Sequence, residues 1–279
     1  MHDTPTLPTI TEIPDDLWQK IQPLLPEQKM AGSSGRPAVP FRQVLNGIFY
    51  VLRTGCQWKA VPAEFGSGST IHRRFQQWVR SGIFEQLWAV MLEEYDERIG
   101  IGWQWQSLDS AIIKSPLGGS RTGPNPTDRG KLGTKRHVLT DQEGVPLSME
   151  LSGAHRHDMK MTFMVLDSIV VEPPARTLRC RQHLCLDKGY DYPEIDRGVK
   201  EREYCQHIRR RGEAIVPEEL KCHPARRWVV ERTHSWYNRF RKLLVRFEKY
   251  AENYLGLVDL ASAVIVYRTL WRLSQQVLG

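Results

Sequence analysis

Three carboxylates occupy positions where a fold can bring them together. Asp109 and Asp187 each end a segment with the apolar pattern of a β-strand, WQWQSLD and HLCLD, and Glu231 lies in a predicted long helix from Pro224 to Tyr250. Taken singly, an aspartate after a strand is more often a turn or cap residue. Strand ends at one edge of a sheet are neighbours, however, so the combination predicts that the three carboxylates converge.

Converging carboxylates repel one another unless a cation lies between them. Ligands that are all oxygen favour Mg²⁺, with Mn²⁺ as a substitute. Two such ions about 4 Å apart can activate the attacking oxygen and stabilise the leaving oxygen of a phosphodiester. We therefore predict that Asp109, Asp187 and Glu231 are metal ligands and carry the catalysis of phosphodiester transfer.

The composition favours a polyanionic partner and a reducing compartment. The chain of 279 residues carries 39 Lys and Arg against 32 Asp and Glu, which gives a net charge of +7. Five cysteines at irregular spacing do not form the framework of a secreted disulfide-rich protein. The N-terminus has no signal-peptide pattern, and the apolar stretch from Tyr254 to Leu278 contains Asp259, Arg268 and Arg272. We expect a cytoplasmic protein that uses no membrane.

The first hundred residues predict a small all-helical unit. Residues 1–14, with three prolines and four threonines, predict a disordered leader, and residues 15–100 a helix-turn-helix domain. In this domain a helix over 41–52 ends at Gly55, and a later helix is capped by Ser69 or Thr70. Its outer face carries side chains suited to phosphates and base edges, namely His72, Arg73, Arg74, Gln76, Gln77 and Arg80. The alternative is an ordinary solvated helix face.

Residues 101–279 predict an α/β domain with a mixed sheet and C-terminal helices. Strands are expected up to Asp109, on both sides of a turn at 142–144, before Asp187 and at CQHI, with a helix from Met159 to Val170. Mixed strand directions follow from the hairpin and the later strands. The segment 115–135 is dense in Gly, Pro and basic residues and predicts an exposed loop over a site or a partner.

Basic residues are concentrated near the predicted site. Five of them, Arg227, Arg232, Arg239, Lys242 and Arg246, lie on the predicted last helix, where they would neutralise DNA phosphates. Trp228 and Trp236 suit either stacking on an unpaired base or the core. The histidines and cysteines around Cys185 lack paired-knuckle spacing, which disfavours zinc. The full set of predicted DNA contacts is Arg36, Arg42, Ser69, His72, Arg73, Arg74, Gln77, Lys131, Lys135, His137, His157, Arg227, Arg232, Arg239, Lys242 and Arg246.

The segments SLDSAIIKSPLGG, LCLDKGYD and RRWVVERTHSWYNRFRKL resemble the three acidic blocks of bacterial insertion-sequence DDE transposases of the insertion-sequence-five family. The preceding segments from DDLWQKIQPLLP through RPAVPFRQVLNGIFYVLRTGCQWKAVP resemble the family's helical domain. The resemblance implies a ribonuclease-H-like core, Mg²⁺ dependence, and Asp109, Asp187 and Glu231 as ligands. Arg227 matches the family's signature on the last helix, whereas Pro224 and Asn238 replace its Tyr and Lys.

The resemblance also implies a reaction and its partners. We expect a transposase that binds terminal inverted repeats, cuts double-stranded DNA at the element ends and joins the 3′ ends to target DNA. A homodimer or larger assembly in the bacterial cytoplasm, associated with the nucleoid, would hold two ends together. Two alternatives remain at this point: a metal-dependent nuclease without strand transfer, and an inactive transposase-derived DNA-binding regulator.

Overall fold

The computed structural model describes residues 12–28, 38–177, 181–208 and 226–278. Most of the predicted leader and Arg36 therefore lie outside the described residues. Ile13, inside the predicted leader, is buried, and its amide donates a hydrogen bond of 3.0 Å to Oδ1 of Asn46. The end of that segment thus packs onto the following helices.

The described part of the N-terminal region contains four α-helices: α1 (Asp15–Ile21), α2 (Phe41–Thr54), α3 (Gly68–Arg80) and α4 (Ile83–Arg98). As predicted, Gly55 ends α2, because it adopts the left-handed conformation that favours glycine, with φ of +75°. The predicted cap of α3 is wrong, because the observed cap lies two residues before Ser69 and three before Thr70. The Ser67 side chain, rather than Ser69 or Thr70, caps the helix by accepting a hydrogen bond from the Thr70 amide.

Among the described residues, six strands form one mixed sheet: β1 (Trp105–Lys114), β2 (Gly123–Pro124), β3 (Leu132–Thr140), β4 (Pro146–Gly153), β5 (Gln182–Leu186) and β6 (Tyr204–Ile208). β1 lies between β3, with which it is antiparallel, and β5, with which it is parallel. β4 continues the antiparallel side and β6 the parallel side. This order of strands, together with the flanking helices, confirms the predicted ribonuclease-H-like fold class.

Helices α5 (Thr162–Asp167), α6 (Pro193–Glu201), α7 (Trp228–Asn238) and α8 (Ala251–Leu278) complete the fold. The prediction of one helix from Pro224 to Tyr250 was wrong. After α7 the chain forms a short 3₁₀ turn and then lies alongside the end of β1, where Val245 bridges Lys114 in parallel. The Arg246 amide donates to the Lys114 carbonyl at 2.8 Å. Pairing with the sheet edge thus replaces helical hydrogen bonds in this segment.

The predicted helix from Met159 to Val170 is also shorter in the structure. Its first residues form a 3₁₀ turn from Asp158 to Met161, and α5 proper ends at Asp167. The loop that follows crosses the edge of β4, where the Val170 amide donates to the Leu147 carbonyl at 3.1 Å. The segment still covers one face of the sheet, because Val165 and Leu166 are buried.

Helix α8 is the central element of the core. Between residues 251 and 275 it is long and apolar enough to cross a membrane, but most of it is buried inside the protein, as in the core helix of a globular domain. Its apolar side chains pack against α4, and the Trp88 indole of α4 donates to the Pro146 carbonyl of β4 at 3.1 Å. The helical region and the sheet therefore share one continuous core across the predicted boundary near residue 100. The apolar face of α8 is buried as far as Leu270, so it offers no surface for a subunit contact over that range.

Candidate active site

Asp109 and Asp187 occupy equivalent positions on two neighbouring parallel strands. Ser107 of β1 pairs with Cys185 of β5, and each aspartate stands two residues further along the chain. β5 ends at Leu186, whereas β1 continues to Lys114 in its pairing with β3. The prediction that Asp109 ends its strand is therefore corrected: it lies in the middle of β1, where the parallel partner has ended. Both carboxylates lie where the two strands separate.

The Asp109 carboxyl is largely withdrawn from water. Its pKa is raised to about 6, mainly by burial, with smaller contributions in the same direction from Asp187 and Asp158. The Ser110 amide, which donates to Oδ1 at 2.7 Å, and the nearby Arg227 act in the opposite direction. The rise in pKa means that the surrounding groups do not fully compensate for burial of this charge. A carboxylate in this state gains stability from an added cation.

Asp187 serves two structural roles at once. Its side chain accepts a hydrogen bond from the Gly189 amide and so caps the short 3₁₀ turn from Lys188 to Tyr190. This fits the turn-residue interpretation of the sequence, but the cap uses Oδ1 and leaves Oδ2 facing Arg227. The aspartate is therefore both a cap and a member of the acidic group.

The third carboxylate comes from helix α7, which crosses the sheet beside this position. The Ser107 hydroxyl donates to the Arg226 carbonyl at 3.2 Å, and the Thr233 hydroxyl donates to the Gly144 carbonyl at 2.6 Å. These bonds fix the helix to β1 and to the turn after β3. Arg227 then lies between two carboxylates, with its Nη2 atom 3.4 Å from Oε1 of Glu231 and 3.9 Å from Oδ2 of Asp187.

The three carboxylates have the chemistry of a metal site but not its spacing. Within the described ranges, no three His, Cys, Asp or Glu side chains come close enough together to enclose a metal ion. Instead, the Arg227 guanidinium supplies the positive charge between Asp187 and Glu231. The donors are nevertheless all oxygen, Asp109 lacks full compensation, and the Glu231 side chain is 57% exposed and free to reorient. The chemistry of the donor set therefore fits a hard divalent cation.

A second acidic group, which the sequence analysis did not assign to the site, borders Asp109. Oδ1 of Asp158 accepts hydrogen bonds from the Ser110 hydroxyl at 2.8 Å and from Lys135 Nζ at 2.9 Å. His157 caps the 3₁₀ turn from Asp158 to Met161, which leaves the Asp158 carboxylate to Ser110 and Lys135. The segment AHRHD, residues 154–158, directly follows β4 and was the available signal in the sequence, since it places histidines and an aspartate at a strand end.

Four of the predicted DNA contacts are corrected, because the structure buries them. Lys135 pairs with Asp158, and His137 hydrogen-bonds to the Ser152 hydroxyl at 2.8 Å. Lys242 forms a buried ion pair of 3.2 Å with Glu248. The Arg246 guanidinium donates to the Thr134 hydroxyl and to the Ser120 and Glu248 carbonyls. These side chains hold the fold together and do not present their charges at the surface.

The other described candidates reach the surface to different degrees. On α3, Ser69 and Arg73 are exposed, while His72, Arg74 and Gln77 are half-buried. His72 stacks on Trp58 with a ring separation of 4.7 Å, and Arg42 forms an ion pair with Asp15. The remaining candidates are exposed or half-buried, namely Lys131, His157, Arg227, Arg232 and Arg239.

Some of the histidines and cysteines whose spacing disfavours zinc lie outside the described residues. Cys180, Cys222 and His223 lie outside the described residues. His183 and His207 lie side by side on β5 and β6, with Nδ1 of His183 2.7 Å from Nε2 of His207. Trp105 stacks on His183 with a ring separation of 4.2 Å.

The sequence is similar to two families of transposases. Residues 106–265 match the family described as "Transposase DDE domain", and residues 13–88 match the family described as "Putative transposase of IS4/5 family". A relative from Burkholderia cepacia, "Putative transposase for insertion sequence element IS402", is 35% identical over 167 residues, which cover 57% of this chain and 74% of that protein. A second protein from Burkholderia cepacia, "Insertion element IS402 uncharacterized 16.2 kDa protein", is 36% identical over 118 residues, which cover 41% of this chain and 80% of the relative.

Two solved structures share a distant likeness in fold. The Mos1 strand transfer complex matches with a TM-score of 0.31 and 11% identity, over 86% of this chain and 81% of that chain. The catalytic domain of Mos1 mariner transposase matches with a TM-score of 0.29 and 10% identity, over 71% of this chain and 94% of that chain. At these scores the likeness adds no argument about the site.

Proposed function

The chain belongs to the transposase DDE domain family, and from this we propose that it binds terminal inverted repeats, cleaves DNA at the element ends and joins the 3′ ends to target DNA. The observation that carries the proposal is the shared register of Asp109 and Asp187 at the point where β1 and β5 separate, with Glu231 on the helix that crosses beside them.

The family implies the use of a divalent metal, and Mg²⁺, with Mn²⁺ as a substitute, is the proposed ion. Asp109, Asp187 and Glu231 would hold it. When bound, the metal stabilises charge on the attacking and leaving oxygens of the scissile phosphodiester. The residues of the chain hold that phosphodiester in place: Arg227 is positioned to pair with a phosphate oxygen when Glu231 turns away from it.

Lys135 and Ser110 have positioning roles in this proposal. Both donate to Oδ1 of Asp158 and so keep that carboxylate oriented beside Asp109. The side chain of Lys135 is mostly buried, and its charge partly offsets the acidic cluster. Neither residue needs to touch DNA for this role.

The helical region supplies DNA recognition in the proposal. The exposed Arg73 and Ser69 and the half-buried Arg74 lie on one helix, α3, which follows the turn at Gly66 and Ser67. Helix, turn and helix is the arrangement that places side chains in a major groove. Gln77 and His72 belong to the same proposed surface. The protein is proposed to act in the cytoplasm as a homodimer or larger assembly, because two element ends must be held together.

The test uses a labelled duplex that carries the element's own terminal repeat, with Mg²⁺ and after chelation. We expect the parent to cut and join only with the metal, and Asp187→Asn to bind the duplex without cutting it. Asp167→Asn, which changes an exposed aspartate paired with Arg202 outside the site, serves as the matched control and should cut normally.

Two other outcomes would replace the proposal. Cutting without joining, under every condition in which target DNA is supplied, means that the protein is a nuclease. Equal binding by the parent and Asp187→Asn, with no cutting under Mg²⁺ or Mn²⁺, means that it is a DNA-binding regulator.

A further inference from the structure

One face of α7 carries an alternating row of aromatic and cationic side chains. Trp228, Arg232 and Trp236 follow one another at intervals of four residues, so they lie on the same side of the helix. The Arg232 guanidinium lies between the two rings, 4.8 Å from the Trp228 centroid and 5.0 Å from that of Trp236. Trp228 is 56% exposed. The row is therefore a surface feature, whereas tryptophans at this spacing most often form a core.

The row leads into a groove between the ends of α7 and α8. The groove has a volume of about 220 Å³. The buried Phe240 and Ile265 are among the apolar side chains that line it. Its other lining residues include Trp236, Arg239, Arg268, Trp271 and Arg272. A third tryptophan, Trp271, and three arginines thus extend the aromatic and cationic surface of α7.

The arginines around this groove lack anionic partners. In the described part of the chain, Arg239, Arg268 and Arg272 form no ion pair, and neither does Arg53 at the end of α2. Nε and Nη1 of Arg53 are buried without a hydrogen bond, and its guanidinium lies 5.0 Å from the Phe240 ring. Burial, with repulsion from Arg53 and Arg239, lowers the pKa of Arg268 to about 10. A bound anion would relieve the repulsion among these arginines.

We propose that the Trp228–Arg232–Trp236 row and the adjoining groove bind an unpaired DNA strand, with phosphates on the arginines and bases stacked on the tryptophans. This deepens the proposed function, on which it rests, by naming the form of DNA held beside the cut. Stacking on an aromatic ring needs an open base face, which a duplex does not offer. Trp236 lies five residues after Glu231, or about 7.5 Å along the helix axis, so a strand freed at the acidic site has a short path to the groove.

The test measures binding of the full chain to a labelled dT20 strand and to a blunt duplex of mixed sequence. The variants are Trp228→Ala, which removes a mostly exposed ring, and the double variant Arg239→Gln/Arg272→Gln, which removes two exposed charges. The matched control is Arg98→Gln/Arg197→Gln, which removes two exposed arginines on α4 and α6.

We expect each groove variant to weaken dT20 binding about 10-fold while its duplex affinity stays within about twofold of the control. The slope of log affinity against log salt for dT20 should also fall by about 1.4 in the double variant, which corresponds to two phosphate contacts on a single strand. The control should lose the same small amount for both ligands.

Unchanged dT20 binding in both groove variants overturns the inference. An equal loss of affinity for dT20 and for the duplex also overturns it, because a change in net charge alone would weaken the binding of both ligands. The result is separable from the transposition assay: a protein that binds dT20 through this groove but never cuts its repeat keeps this inference and refutes the proposed function.

Discussion

The guanidinium of Arg227 lies 3.9 Å from the carboxylate of Asp187. One cation carried by the chain thus holds together carboxylates from the end of β5 and from α7, since the same Nη2 atom also approaches Glu231. Asp187 and Glu231 are consequently held near each other through Arg227. Arg227 is also one of two groups that lower the pKa of the Asp109 carboxyl against the effect of burial.

We predict that Arg227→Gln lowers the rate of DNA cleavage by about 10²-fold, the usual effect of removing one charged donor from such a site. Arg227→Lys should be intermediate, because it keeps the charge but loses the forked geometry. The single-turnover cleavage rate and the unfolding temperature are measured together. An unchanged rate in Arg227→Gln would exclude this role, whereas a lowered unfolding temperature would indicate a structural one.

The buried pair of Lys242 and Glu248 gives a prediction about stability. Each side chain is 6% exposed, and Lys242→Met leaves the Glu248 charge buried without its partner. We expect a loss of about 3 to 5 kcal/mol in the free energy of unfolding, as is usual when one partner of a buried ion pair is removed. Denaturant unfolding provides the measurement.

The double variant Lys242→Met/Glu248→Leu is the control for that prediction, because it removes both charges. It should recover most of the lost stability. Duplex affinity should be the same in the parent and the double variant, since Lys242 is buried. A selective loss of duplex affinity in the double variant would instead indicate that Lys242 contacts DNA.

The two serines at the start of α3 are expected to have different roles: Ser67 caps the helix, and Ser69 contacts DNA. Ser67→Ala removes the oxygen that accepts from the Thr70 amide, so it should lower the free energy of unfolding by about 1 kcal/mol. Ser69→Ala should leave stability nearly unchanged and weaken binding of the terminal repeat. Thermal unfolding and duplex affinity are measured for both variants, and the reverse pattern would contradict the observed cap.

His137 gives a prediction about pH. Burial lowers its pKa to about 4, although Asp158 at 3.8 Å acts to raise it. Because the pKa is lower in the folded protein than the 6.5 of an exposed histidine, the unfolded chain takes up the proton first. The free energy of unfolding is therefore not reduced by this titration above pH 6.5. It falls as the pH is lowered toward 4, by about 2 kcal/mol between pH 7 and pH 5.

We therefore expect His137→Gln to lose less stability than the parent between pH 7 and pH 5. The unfolding free energy of both proteins is measured across this range. Asp109 and Asp141, whose pKa values are raised by burial to about 6, act in the opposite direction in both proteins and cancel in the comparison. Parallel curves for the two proteins would show that His137 does not titrate as its burial implies.

Local pattern in the sequence was sufficient to locate most of the helices and strands and to name candidate residues for the site. Gly55 marked the end of α2 because only a left-handed residue closes that helix without strain. The apolar alternation around Leu108 and Leu184 identified β1 and β5, and so placed Asp109 and Asp187 beside each other. Such features depend on residues close in the chain, which is why they can be read from it.

Tertiary packing decided what local pattern could not. The chain after Asn238 continues a helical pattern in sequence, yet it leaves the helix because Val245 and the Arg246 amide pair with the end of β1. That turn carries Lys242 and Arg246 into the interior, whereas α7 keeps Trp228 at the surface. The sequence by itself determined which charges and rings the protein has. Their burial decides which of them can contact DNA. It depends on contacts between residues that are far apart in the chain, and no short stretch of sequence specifies those contacts.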